Sequence, residues 1–247
     1  MSGSYQRFDF YPILTHFMPS SPFAFSSQKQ VVLFLFFLIQ TPLLSQVLVH
    51  QEPRHCPVFE NKEIRILNVE FPPGDTTLYH VHTTPSVFIH FTSTAVGSQL
   101  KGASEVNAES IAGDIVVEDL SGDNIRTHRV WNRDKSDFHV MDVELLYKDF
   151  DLEENPLDLP DLNLEIDTTW VRVYRLNLEA GKEFQLEKPK QSFLLVSLQD
   201  ASIQNEKAQN QDLKPGSFIA VPRKKKFSIT NSGSQAAEMV LLEFPAK

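Results

Sequence analysis

Past residue 57 the chain alternates apolar and polar positions in short bursts: EIRILNVEF, SVFIHF, DIVVEDL, FHVMDVELL, WVRVYRLNL, SFLLVSL, SFIAVP and EMVLLEF. Alternation with period two, in runs rich in β-branched and aromatic residues, marks strands with one buried face. Pro, Gly, Asp and Asn separate the bursts, as turns between strands require. No long stretch repeats with helical period. Regularly spaced short strands predict an all-β sandwich or barrel.

The burst pattern occurs twice. EIRILNVEFPPGDTTLYHVHTTPSVFIHF aligns with WVRVYRLNLEAGKEFQLEKPKQSFLLVSL, so Gly74 matches Gly181. AGDIVV matches PGSFIAV, pairing Gly113 with Gly216, and HRVWN matches FSITN, pairing Asn132 with Asn231. A strand–glycine turn–strand order that returns is the sign of a duplicated β-domain. The predicted domains are residues 57–147 and 168–247, joined by an acidic, proline-containing linker over 148–167.

The N-terminal 45 residues follow another pattern. Residues 31–39 read VVLFLFFLI, Lys29 precedes them, and Ser45 offers a small residue for cleavage. A basic residue, a short apolar core and a small residue are the layout of an export signal. The apolar run falls short of the ~20 residues that span a bilayer. The expectation is an exported protein beginning near Gln46, with a membrane anchor through this segment as the alternative. Met18 is the more ordinary start for such a signal than Met1.

Composition narrows the function. A net charge of −9 argues against nucleic-acid binding, which needs a basic face. The short run Arg223-Lys224-Lys225-Lys226 reads as a solvated turn. Cys56 is the only cysteine, so no intrachain disulfide forms, and no nearby group activates it. Ser-His-Asp spacings, phosphate-binding glycine loops and HExxH are missing.

The candidate chemistry lies in histidines. His80 and His82 stand two apart in LYHVHTT, so on a strand both imidazoles project from one face. His128 follows in the next extended segment, THRVWN. Neutral imidazoles that converge make a transition-metal site for zinc, iron, copper or nickel. His90 shares strand parity with Ser86 and Phe88 and could complete the ligand shell. Ser86 could reach a metal-bound water or substrate through its hydroxyl. His139 reads as a core or surface histidine. His50 and His55 lie just past the cleavage point, where a terminus rarely builds a metal site.

These residues resemble the cupin superfamily. Its first signature, G-x5-H-x-H-x3,4-E-x6-G, is met at its front by Gly74, His80 and His82. Its second, G-x5-P-x-G-x2-H-x3-N, is met at its ends by Gly113, His128 and Asn132. The resemblance implies two small antiparallel jelly-roll barrels in tandem, with a metal inside the first. The departures are specific. Ser86 or Val87 stands where the signature has glutamate, and the Gly113-to-His128 interval is longer than the pattern. In the second half Glu187, Pro189 and Phe227 take the three histidine positions, so that domain keeps the fold and loses the ligands. Three histidines without a carboxylate resemble the arrangement in thiol dioxygenases of this superfamily.

Two functions fit these features. One is a metal-dependent oxygenase or isomerase of a small polar molecule at His80, His82 and His128. The other is a non-catalytic module that binds a small ligand or holds metal structurally. The resemblance selects neither substrate nor oligomeric state, because the fold hosts many chemistries.

Overall fold

The computed structural model describes residues 46–147, 152, 155–221 and 223–245. The export segment expected over residues 1–45 lies outside the described residues. The first half carries β1 (Val47–Leu48), β2 (His55–Glu60), β3 (Ile64–Phe71), β4 (His80–His82) and β5 (Ser86–His90). It continues with β6 (Thr94–Leu100), β7 (Glu105–Ser110), β8 (Ile115–Glu118), β9 (Arg126–Asn132) and β10 (Phe138–Leu145). The second half carries β11 (Leu162–Asp167), β12 (Arg172–Leu178), β13 (Glu183–Leu186), β14 (Ser192–Ser197) and β15 (Ala201–Asn205). It ends with β16 (Asn210–Leu213), β17 (Phe218–Val221), β18 (Phe227–Asn231) and β19 (Ala237–Phe244).

Each half is a pair of sheets. In the first, β1-β4-β9-β6-β7 faces β2-β3-β10-β5-β8; in the second, β11-β12-β19-β14-β17 faces β13-β18-β15-β16. Pairing is antiparallel except that β1 lies parallel to β4, with Val47 opposite His80. The fold is thus all-β and of jelly-roll type, as the alternation predicts.

The two halves share a core. Alternate residues of β3, β5 and β10, among them Ile66, Val87, Ile89, Met141 and Val143, face away from their own sandwich. They pack on Val173, Leu194, Val196, Val240 and Leu242 of β12, β14 and β19. These strands are therefore apolar on both faces, the pattern of a sheet covered from both sides. The opposite parity of the same strands fills the first sandwich: Leu67, Val69 and Phe71 of β3, with Phe138 and Val140 of β10.

The repeated landmarks fall at equivalent places. Gly74 and Gly181 both turn through positive φ (77° and 74°), where glycine has no Cβ penalty. Their N–H groups donate to Asn132 O (3.0 Å) and Asn231 O (2.8 Å). The Asn132 amide donates to Phe71 O and Ser136 O, and the Asn231 amide to Leu178 O and Gln235 O. Each asparagine ties the end of one strand to the following turn by the same bonds.

Two features differ from expectation. Strand β11 forms inside the stretch expected to be a linker, pairing with β12 as Leu162↔Leu176 and Leu164↔Tyr174. Its LNLEID alternation was obscured by the acidic, proline-rich residues before it. The segment before residue 57 also belongs to the first sandwich: β1 joins one sheet, a short 3-10 turn (Val49–Gln51) crosses, and β2 joins the other.

The duplicated asparagine lock has a measurable weight. Asn231→Ala leaves the buried Leu178 carbonyl without its donor and frees the Gln235 carbonyl in the exposed turn, and should cost about 1–3 kcal/mol. Urea unfolding of wild type and variant measures it; a loss under about 0.5 kcal/mol would show that the amide bonds are incidental.

Candidate metal centre

Strand parity assembles the cluster. His80 and His82 project from β4 into the first sandwich, and β9 lies beside β4 with His128 directly opposite His80. The imidazoles of His80 and His128 sit 4.7 Å apart between ring centres, and those of His82 and His128 5.1 Å apart. His82 Nε2 and His128 Nε2 are 3.1 Å apart. That is a hydrogen-bond distance, and it is also the spacing of two adjacent ligand nitrogens that each bind one ion at ~2.0–2.1 Å.

The structure adds a histidine that sequence reasoning had set aside. His55 enters from β2, buried, with its ring centre 4.4 Å from that of His80. Ligand atoms of His55, His80 and His82 all lie within 4.8 Å of one another; His128 stands outside that trio and meets it through the 3.1 Å contact with His82. His55 is not on a loose terminus, because β2 pairs with β3 and places His55 opposite Val69. The strand HCPVFE carries too little alternation to announce itself.

Hydrogen bonds set the tautomers that a metal requires. His80 Nδ1 donates to Leu78 O at 2.9 Å, which leaves its Nε2 as a lone-pair nitrogen. That buried Nε2 makes no hydrogen bond. His55 Nδ1 donates to Glu52 Oε2 at 2.7 Å, which fixes the ring with its Nε2 side turned away from the carboxylate. A carboxylate behind a histidine is a recurrent support for metal ligands, fixing the ring and raising its basicity. Glu52 is only 1% exposed. Its other bonds come from the N–H groups of Arg54 (2.7 Å) and Leu78 (3.0 Å). Burial alone would favour a neutral Glu52, but these donors and His55 hold its pKa below the usual carboxylate range.

The other imidazoles are neutral without metal. Burial, then the nearby His55, pushes His80 down to about 4; burial, then His80, pushes His128 down to about 3. Burial and the neighbouring histidines drive His82 far below its ordinary value. Asp142 from β10 faces His82 Nδ1 at 3.6 Å. Fully buried, it is pushed well above the usual carboxyl range, so the pair is a neutral contact rather than an ion pair. A buried nitrogen with no partner and imidazoles already stripped of protons fit a divalent ion of imidazole-binding character.

The remaining sequence candidates lie elsewhere. Ser86 faces inward beside Asp142, behind the histidines. His90 also faces inward, but its Nδ1 bonds Ser110 Oγ at 2.7 Å and it stands outside the cluster. His139 bonds Asn68 Oδ1 and packs on Phe91. Phe88 lines the cavity next to His82, whereas Tyr79, of opposite parity, lies on the outer face beside Arg129. In the second half the pairing sets Leu186, not Glu187, opposite Phe227, and both are core residues. Glu187 instead pairs with Lys226 on the surface.

No sequence-family model and no curated protein sequence matches the chain. Solved structures do match in shape. AerE from Microcystis aeruginosa superposes with a TM-score of 0.52 at 15% identity, over 79% of this chain and 99% of that one. YhhW from Escherichia coli, a bacterial pirin solved also with nickel(II), gives 0.54 at 13% identity over 78% and 91%. Salicylate 1,2-dioxygenase from Pseudaminobacter salicylatoxidans gives 0.52 at 10% identity over 88% and 82%. The fold is that of the cupins.

Metal-free protein should lose stability on acidification. Unfolded histidines take up protons near 6.5, whereas His80 and His128 in the fold resist until about 4 and about 3. The unfolded state therefore binds more protons below 6.5, and stability falls as pH drops through that value. Each group contributes roughly 1–2 kcal/mol of loss between pH 7 and pH 5. Urea midpoints at the two pH values measure this, with His128→Gln expected to show the smaller loss; equal losses would contradict it.

Proposed function

We propose that this chain is a divalent-metal protein whose centre is built by His55, His80, His82 and His128, and that it acts as a metal-dependent oxygenase or isomerase of a small molecule. The observation that carries the reading is the unbonded, buried His80 Nε2, whose tautomer Leu78 fixes, beside the 3.1 Å His82–His128 contact. A bound ion would supply Lewis acidity, polarising a substrate oxygen or lowering the pKa of a bound water. Glu52 orients His55 by accepting from its Nδ1. Phe88 and the valines around it line the cavity on the cluster's open side. His90, with its Nδ1 proton committed to Ser110, presents Nε2 as an acceptor toward the cavity. Proteins of similar fold support the reading, since one was solved with nickel(II) and another is a salicylate 1,2-dioxygenase.

The fourth histidine supports a second reading, a structural or storage site. Four nitrogens around tetrahedral zinc close the shell, as structural sites do, while six-coordinate iron, nickel or manganese would keep two positions open. Metal identity therefore divides enzyme from binding module.

Metal analysis of untagged protein should find close to one divalent ion per chain. Calorimetry with zinc, iron(II) and manganese(II) should show His82→Ala weakened at least about 100-fold, since a shell ligand is lost. Glu52→Gln should lose roughly 10–100-fold, as removal of a supporting carboxylate does. Equal affinity in wild type and His82→Ala would sink the proposal.

A further inference from the structure

The histidines stand at one end of a cavity of about 320 Å³ inside the first sandwich. A water's share of liquid volume is ≈ 30 Å³, so the space takes a ligand about as large as ten waters. Its walls are Phe71, Phe88, Phe138, Val96, Val130 and Val140. Val116, at the rim on the edge strand β8, is 41% exposed, so the apolar wall runs out to solvent.

Several polar groups on the wall are already paired. Arg126 grips Glu118 through two bonds of 2.6 and 2.8 Å. Ser110 gives its hydroxyl hydrogen to Thr92 O and accepts from His90 Nδ1. Asp142 faces His82. A sugar or polyol would leave hydroxyls unpaired against these walls, at about 1–3 kcal/mol each. A ring or branched alkyl body instead gains about 25 cal/mol for each Å² it buries. At the histidine end the imidazoles bring no charge of their own, so an ion held there attracts an anionic oxygen.

We propose that this chamber binds a small amphiphilic carboxylate, with its carboxylate toward the metal centre and a ring-sized apolar body between the phenylalanines. This rests on the metal reading above, and it replaces the polar small molecule expected from sequence by one apolar over most of its surface.

The test uses the full chain loaded with cobalt(II), whose visible bands report changes in coordination. Benzoate and cyclohexanecarboxylate are titrated against acetate and gluconate, which carry the same head without the apolar body. The two ring acids should shift the bands and bind at least about tenfold more tightly than acetate or gluconate. Val116→Trp, which narrows the exposed rim, should weaken benzoate at least about tenfold. Ala108→Phe on the exposed strand β7 repeats the test should the first variant misfold. Cobalt binding with no preference for the ring acids, or unchanged benzoate affinity in the folded rim variants, overturns the ligand class and leaves the metal centre standing. Failure to bind cobalt overturns the metal reading, and the ligand proposal with it.

Discussion

The packing of one sandwich against the back of the other is the constraint on which the rest depends. Ile66, Val87, Ile89, Met141 and Val143 are held against the second half by apolar contact over their whole surface. A strand that slips by one residue exchanges its two faces. Register in β3, β5 and β10 is therefore fixed from behind, and with it the residues that face inward: Phe71, Phe88, His90, Val140 and Asp142. Three of the clustered histidines, His80, His82 and His128, stand on the opposite sheet and His55 on β2 of this one, but the chamber wall they look upon is set by a core that belongs equally to the other half. This gives the ligand-free second sandwich a definite role in the first one's site.

The halves use the same frame in opposite ways. Where His80 faces His128 in the first, Leu186 faces Phe227 in the second. The apolar pair closes onto Ile203, Leu213 and Ile229 as ordinary core. The histidine pair cannot do so without desolvating polar nitrogens, and the sandwich around it stays hollow. One half is filled and supports; the other is open and carries polar groups. The cost of burying four imidazoles is borne beside a core that needs none.

Much of this was legible in the chain. Alternation marked the strands, and the spacing of two placed His80 and His82 on one face. The repeated glycines and asparagines located the equivalent turns, whose hydrogen bonds match closely. Position 187 was misaligned with His80 because sequence matching ignores a one-residue difference in strand pairing: Leu186 occupies that place. Strand β11 was hidden because its three apolar residues sit within an acidic stretch, and only pairing with the neighbouring β12 makes them a strand, with Leu162 and Ile166 half-buried and Leu164 exposed. His55 was the larger omission. Nothing local distinguishes EPRHCPVF, and Glu52 finds its role only when Leu78 and Arg54 close around it. The missing signature glutamate was the one clue that another donor had to come from somewhere.

The route of residues 46–56 has a kinetic consequence. Three of the four histidines sit on β4 and β9 within one sheet, but His55 arrives on an edge strand that the chain reaches by crossing from the other sheet. Its neighbour Arg54 is pinned to Asp75 by two bonds of 2.8 Å, a clasp at the surface rather than in the core. Edge segments open locally far more often than central strands do. An ion held by all four would thus have an exchange path that leaves the barrel intact: unfasten the clasp, lift His55 away, and solvent reaches the metal. The lifetime of the bound ion would then be set by the fraying of this one short strap, not by the unfolding of the domain around it.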